Sequence, residues 1–249
     1  MKDLVAQIAA SDVPASYRFT YTAIGPLFMG CLSGVEDIDG AVDAERRAMV
    51  VSSRQRAGKV YSLDGELLIE RELLGLPDRG HPYVRIPVDA TTDAETLNRI
   101  DGALGTSLSA TIAGEAWPTH PNDLVESTLS IASSITAIAP DGQSLPGIRI
   151  VLDPAGYLEQ FEETATLERD VPPIIDVYVA AEGTVQRLVV RRPDSANTTT
   201  PTDHSDGYAI DFRYDEGVEV VAPEADEIVD MAATELPLEP TAMPCVVEQ

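Results

Sequence analysis

Lysine is nearly missing from this chain: Lys2 and Lys59 are the only two in 249 residues, and the other fifteen cations are arginines. Basic residues of both kinds number 17 against 42 acidic ones, which leaves a formal net charge of −25. A field of that sign repels phosphate, so nucleic acid is excluded as an expected partner, and anionic lipid head groups are repelled from most of the surface. No run of about 20 apolar residues occurs, so no transmembrane helix is predicted. Met1 to Ala10 is too short and too polar for a signal peptide, so the export signal is expected to lie outside this chain. Gly25-Pro26-Leu27-Phe28-Met29-Gly30-Cys31 has the look of a lipoprotein cleavage site, but it lacks a basic start and a long apolar run ahead of it, so lipidation there is not expected. Cysteine is limited to Cys31 and Cys245. As a pair they could pin the C-terminal tail to the first strands, for about 4–5 kcal/mol in the chain-entropy model. That holds only if the sulfurs meet and the compartment is oxidising.

Catalytic signatures are missing too. No G-x-S-x-G elbow, phosphate loop or dinucleotide fingerprint is present. His81 and His120 each precede proline and belong in turns, and His204 falls in a polar stretch; none has metal-ligand spacing to another His or Cys. Val35 to Gly40 resembles a calcium loop, but its first and twelfth positions are Val35 and Arg46 where oxygen ligands are needed. Glu159, Glu162 and Glu163 cluster on a short helix, where paired carboxylates can do acid–base work but are more often solvated. Trp117 before Pro118 reads as a loop anchor. The chain is therefore expected not to be an enzyme, with no catalytic residue, metal or cofactor.

What is present is a core. Hydrophobic residues are 44% and charged residues 24%, and a chain of this length buries roughly 70–75% of its unfolded surface. The charge is uneven: thirteen acids against Arg213 alone from Asp203 onward, and nine basic residues between Arg46 and Arg99. An anionic ligand head would seek that middle stretch. Arginine in place of lysine, with abundant Ala, Asp, Val and Thr, is the composition of a GC-rich genome such as an actinobacterial one.

Lys2 to Ala10 reads as an amphipathic helix with Leu4, Val5, Ile8 and Ala9 on one side. Tyr17, Phe19 and Tyr21 alternate with polar residues as in a half-buried strand. Ala41 to Ser53 reads as one strand. Val60–Leu63 and Glu66–Arg71 read as a hairpin around Asp64-Gly65, with Leu67 and Ile69 facing one way and Leu68 with its flanking glutamates the other. Tyr83–Val88 follows. Thr92 and Glu95 make a capping box for a helix to Leu104, and a second helix starts near Pro121-Asn122 with Leu124, Val125, Leu129 and Ile131 on its stripe. Strands resume at Ile135–Ala139, Gly147–Leu152, Ile174–Ala180, Thr184–Arg192, Tyr208–Tyr214 and Val218–Val221. A short helix runs from Asp153-Pro154 to Phe161, Glu182-Gly183 is a hairpin turn, and Pro193–Ser205 is a loop. This order predicts an α+β fold with helices segregated to one face of an antiparallel sheet. The expected organisation is a helical segment over 1–15, one domain over 16–222, and an acidic, proline-bearing tail over 223–249 that need not be ordered.

The stretches Ser134–Asp141, Pro146–Pro154, Asp176–Val190, Tyr208–Tyr214 and Gly217–Pro223, with weaker agreement over Tyr17–Val88, resemble the LppX/LprG family of actinobacterial lipoproteins and, more distantly, the LolA/LolB carriers. The resemblance rests on the spacing of the set and covers roughly the second half of the chain. It implies a curved antiparallel β half-barrel with helices packed on its concave face and an apolar cavity between them. It also implies a cell-envelope or extracellular protein, possible membrane association, and a lipid or glycolipid as ligand. The missing leader and the acidic tail depart from the family pattern. Residues expected to line the cavity are Phe19, Tyr21, Leu67, Ile69, Ile148, Ile150, Val177, Val179 and Leu188. Alternation identifies the apolar face and not whether the space behind it is empty, so a closed-core interaction or sensor module of the same fold is the alternative.

Overall fold

The computed structural model describes residues 2–11, 14–24, 38–53, 58–63, 66–88, 92, 95–96, 99–100, 120–142, 144–161, 173–191, 207–214 and 217–236. Helix α1 covers Lys2–Ala10 and strand β1 covers Tyr17–Ile24. Strands β2 (Ile38–Asp43), β3 (Ala48–Ser53), β4 (Lys59–Leu63), β5 (Glu66–Glu70) and β6 (Tyr83–Pro87) follow, with a 3-10 turn at Arg71–Leu74. Then come α2 (Pro121–Ser130), β7 (Ala132–Ile138), β8 (Gly147–Leu152), α3 (Pro154–Phe161), β9 (Ile174–Val179), β10 (Val185–Arg191) and β11 (Gly207–Arg213). The last strand, β12 (Ile228–Asp230), lies between 3-10 turns at Ala225–Glu227 and Ala233–Glu235. The fold is α+β, with an open and mostly antiparallel sheet.

The chain divides into two compact units. The first holds 1–14, 21–29 and 119–213; the second holds 15–20, 30–118 and 214–249. In the first, the strand order is β11-β10-β9-β8-β7. Its alternation is one-sided, as expected of strands with one face buried: Ile148 and Ile150 are inward and Arg149 is outward. The outward side carries two ion pairs beside buried Ile174, Val189 and Ala209. Arg149 donates from Nε and Nη2 to the two oxygens of Asp176 at 2.6 and 2.7 Å, and Arg187 pairs with Asp211 at 3.3 Å.

In the second unit the order is β12-β6-β5-β4-β3-β2. The sequence reading placed Leu68 on the opposite side of its strand from Leu67 and Ile69. It is on that side, yet all three are buried, because residues of the C-terminal segment cover the face that carries Leu68.

Four sequence expectations change. Ala41–Ser53 is a hairpin and not one strand: β2 and β3 pair antiparallel from Asp43↔Ala48 to Ile38↔Ser53. The turn is made without glycine or proline. The Asp43 carboxylate accepts from the Arg46 amide at 3.3 Å and its guanidinium at 2.9 Å, while Arg47 takes a left-handed φ of 48°. Val218–Val221 forms no ladder, although Val218 and Val220 are buried and Val221 is exposed. The buried face of α2 is Pro121, Asn122, Val125 and Thr128, with Leu124 exposed. The sheet is also not wholly antiparallel, since Ile228–Asp230 pairs parallel with Tyr83–Arg85. Residues 223–236, read as the start of a tail, thus include a strand.

The Asp64-Gly65 turn, the Pro193–Ser205 loop, Trp117 and His204 lie outside the described residues, as do Cys31, Cys245, Glu162 and Glu163. Of the Thr92–Leu104 helix, Thr92, Glu95–Thr96 and Arg99–Ile100 are described; the last four residues are helical and Thr92 is not.

Candidate functional site: an apolar sheet face

Register converts the one-sided alternation of the first unit into rows of touching side chains, since cross-strand partners share a face. One row runs Ala137, Ile148, Val177, Leu188, Ile210; the next runs Ile135, Ile150, Ile175, Val190, Tyr208. Val179 and Val185 follow at the hairpin end. Every member is apolar but for the Tyr208 hydroxyl.

Five of the residues singled out from sequence therefore stand together: Ile148, Ile150, Val177, Val179 and Leu188. All are at most 2% exposed. Further along the rows burial lapses, and Ile175, Val190, Tyr208 and Ile210 are half-buried. Tyr21, also half-buried, stacks on Tyr208 with ring centroids 5.0 Å apart. The face thus passes from sealed aliphatic core to a partly open aliphatic and aromatic margin.

Leu67 and Ile69 belong to the second unit. They join Val60, Val84, Ile86, Met49 and Val51 on one buried face through Leu67↔Ile86 and Ile69↔Val84. Ser62 is a buried polar member of that face. Phe19 is also in this unit, and its ring lies directly over Gly40, where a Cβ would overlap it. Phe19 fills the gap left by a strand glycine, which sheets commonly require of a neighbouring aromatic.

The helices of the first unit are fastened by one residue the sequence reading passed over. Asn122, at 5% exposure, donates from Nδ2 to the carbonyls of Ile8 and Gly183, each at 3.1 Å, and accepts from the Val185 amide at 3.2 Å. One amide thereby joins the C-terminal turn of α1, the start of α2 and the β9–β10 hairpin. Gly183 completes the joint: its φ is +90°, and a Cβ there would overlap the Gln7 carbonyl oxygen. Beside it, His120 caps α2 by accepting from the Asn122 amide through Nδ1 at 3.2 Å, and Pro121 takes the first helical position. Burial lowers the His120 pKa, against Asp123 and the Pro14 backbone, which raise it. The bound ring is thus held neutral, as a cap acceptor must be.

Among the described residues, no cluster of charged side chains lines either apolar face. Tyr17 and Tyr214 meet as a tilted pair with ring centroids 6.1 Å apart, and burial pushes both hydroxyls up. His81 lies in an exposed segment with Nδ1 2.9 Å from the Asp226 carbonyl oxygen. Among the described residues there is no group of three or more His, Cys, Asp or Glu able to hold a metal ion, and no helix long and apolar enough to cross a membrane. What this arrangement can do chemically is take apolar surface out of water.

No protein-family model and no curated protein matches the chain. Solved structures do. The fold is that of LppX, a lipoprotein of Mycobacterium tuberculosis. The match has a TM-score of 0.50 at 16% identity, and it covers 88% of this chain and 99% of LppX. LprF from Mycobacterium bovis is also similar, with a TM-score of 0.46 at 13% identity over 90% of this chain and 97% of that one. At 16% identity the likeness to LppX shows the fold, an α+β half-barrel, and nothing finer.

Proposed function

We propose that this protein is a non-catalytic carrier of the cell envelope that holds a lipid or glycolipid in an apolar cavity between its sheet and helices. The observation that carries the reading is the pair of cross-strand rows in the first unit: apolar but for the Tyr208 hydroxyl, and sealed at Ile148, Ile150, Val177, Val179 and Leu188. They become half-buried at Ile175, Val190, Ile210 and the stacked Tyr21–Tyr208 pair. Ligand pockets combine such apolar walls with few polar groups. The fold shared with a lipoprotein, and the resemblance of the sequence stretches to LppX/LprG proteins, support the ligand class and the envelope location. Phe19, Leu67 and Ile69 supply a second apolar face of the same kind. The residues closest to complete burial favour the other reading, an interaction or sensor module with a closed core.

Native mass spectrometry of protein exported from an actinobacterial host, before and after organic extraction, separates the two. The carrier reading expects an extractable mass excess that fragments as lipid. A bare polypeptide mass together with no uptake of a fluorescent fatty acid overturns it in favour of the closed module.

A further inference from the structure

In the second unit, the face opposite Leu67 and Ile69 carries Ala41, Ala48, Tyr61 and Leu68, flanked by half-buried Val50, Leu63 and Tyr83. The equivalent side of the first unit carries the Arg149–Asp176 and Arg187–Asp211 ion pairs beside buried Ile174, Val189 and Ala209. An apolar strip on the solvent side of a sheet needs a cover, and here the cover is Val218, Val220 and Ile228. Glu219 between the valines points away and meets Arg46 at 3.2 Å. Further on, β12 adds to β6 as a three-residue parallel strand, the Met231 amide donates to the Arg85 carbonyl at 3.0 Å, and Arg85 Nε donates to Asp230 at 2.7 Å.

We infer that residues 217–231 form an exchangeable strap, and that the strip beneath them, with the outer edge of β6, is a docking surface for an extended peptide of alternating apolar and acidic residues. The chain's own segment is the resident occupant. Its hold is unlike that of the strands it covers. The β3–β4 and β4–β5 ladders are antiparallel and span whole strands, whereas the strap is held by three paired residues, the Met231 amide, the His81–Asp226 contact and three apolar anchors. Its ion pairs are open to water: side-chain exposure is 58% and 59% for Arg46–Glu219, and 38% and 76% for Arg85–Asp230. Such pairs contribute little and are screened by salt, and segments with few buried contacts open ahead of the global fold. The specificity follows from the same contacts. Apolar side chains two apart enter the Tyr61–Leu68 strip, an acid between them reaches Arg46, and a later acid reaches Arg85 while the backbone extends the sheet, as in strand addition.

The test uses the full chain. Hydrogen exchange at low and high salt should show amides of 218–231 exchanging about two- to fivefold faster at high salt, with β4 and β5 unchanged. A full-length Val218→Asp/Val220→Asp variant, its resident strap weakened, should bind a labelled peptide of residues 217–236 saturably, and should not bind the same peptide bearing both aspartates. Strap amides as protected as those of β5, or exchange indifferent to salt, overturn the inference. So does a folded double variant that takes up no peptide, or one that loses its β-sheet circular dichroism, since the segment would then be core.

Discussion

Replacing Asn122 tests whether one amide holds the helices of the first unit to its sheet. Asn122→Ala removes two donors and one acceptor at once, leaving the carbonyls of Ile8 and Gly183 and the amide of Val185 without their partners. A buried polar group deprived of its partner costs about 1–3 kcal/mol. The vacated space is polar and large enough in principle for a water, which would restore part of this. The expected loss is therefore about 3–5 kcal/mol, a large share of the roughly 5–15 kcal/mol by which domains are stable, and it should lower Tm by on the order of 10 °C.

The assay is urea unfolding with m held as a check, joined to hydrogen exchange over Lys2–Ser11 and Ala180–Val185. Both segments should lose protection together, because one side chain serves both. Asn122→Asp sharpens the test. Near neutral pH its carboxylate would face two carbonyl oxygens, so this variant should be less stable than Asn122→Ala. Because the native state resists the charge, the aspartate's folded pKa is raised, and the gap between the two variants should narrow as pH falls and the acid protonates. A loss under about 1 kcal/mol for Asn122→Ala, the size of an ordinary surface change, or deprotection of only one segment, would refute the joint.

Gly183→Ala should destabilise by about 1–3 kcal/mol through its left-handed backbone and the overlap with Gln7, and exchange should rise first in α1. His120 gives a pH signature: its pKa is lowered on folding, so the folded state binds fewer protons, and stability present above about pH 6.5 is lost as pH falls through the lowered value. His120→Asn keeps a cap acceptor without titrating, and should flatten that part of the urea midpoint against pH; identical profiles would count against the cap. Asp176→Asn should leave the Arg149 guanidinium, 19% exposed, without its charge partner. The expected loss is about 1.5–3 kcal/mol, between surface and buried pairs, read as a shifted urea midpoint.

How far the sequence discloses this molecule depends on how many sides of each element are buried. β8 was legible because its middle alternates apolar and charged residues, so period two shows directly in Ile148-Arg149-Ile150. The Glu182-Gly183 turn was legible because the left-handed φ favours glycine. β2 and β3 merged in the reading because Ala44 to Arg47 turn on an Asp43 side chain and a left-handed arginine, with no glycine or proline to mark the break. The strand near Val218 was read from alternation that is real, but alternation reports burial and not ladder pairing. Of the site, the inward aliphatics were legible one at a time, while their assembly into rows needed the register. Asn122 was illegible as a clamp, since its partners lie at Ile8, Gly183 and Val185, far away in sequence, and it reads locally as the start of a helix.

The two units treat their apolar faces differently, and this bears on where a ligand would be recognised. In the second unit both sides of β5 are already covered: Leu67 and Ile69 are completely buried on one side, and Leu68 lies in the strap cluster on the other. Little apolar area remains there for a guest to take from water. In the first unit the outward side is satisfied by Arg149–Asp176 and Arg187–Asp211, and the inward side is sealed only in part. The favourable free energy of binding an apolar guest scales with the area it removes from water, about 25 cal/mol per Å². In the proposed carrier it would come from side chains that still have area to lose: Ile135 and Ala137 at one end of the rows, and Ile175, Val190, Ile210, Tyr208 and Tyr21 towards the other. The fully buried Ile148, Ile150, Val177, Val179 and Leu188 have almost none left. In the proposed carrier they would set the stability and position of the wall, and the half-buried margin, with its stacked tyrosines, would decide what the wall holds.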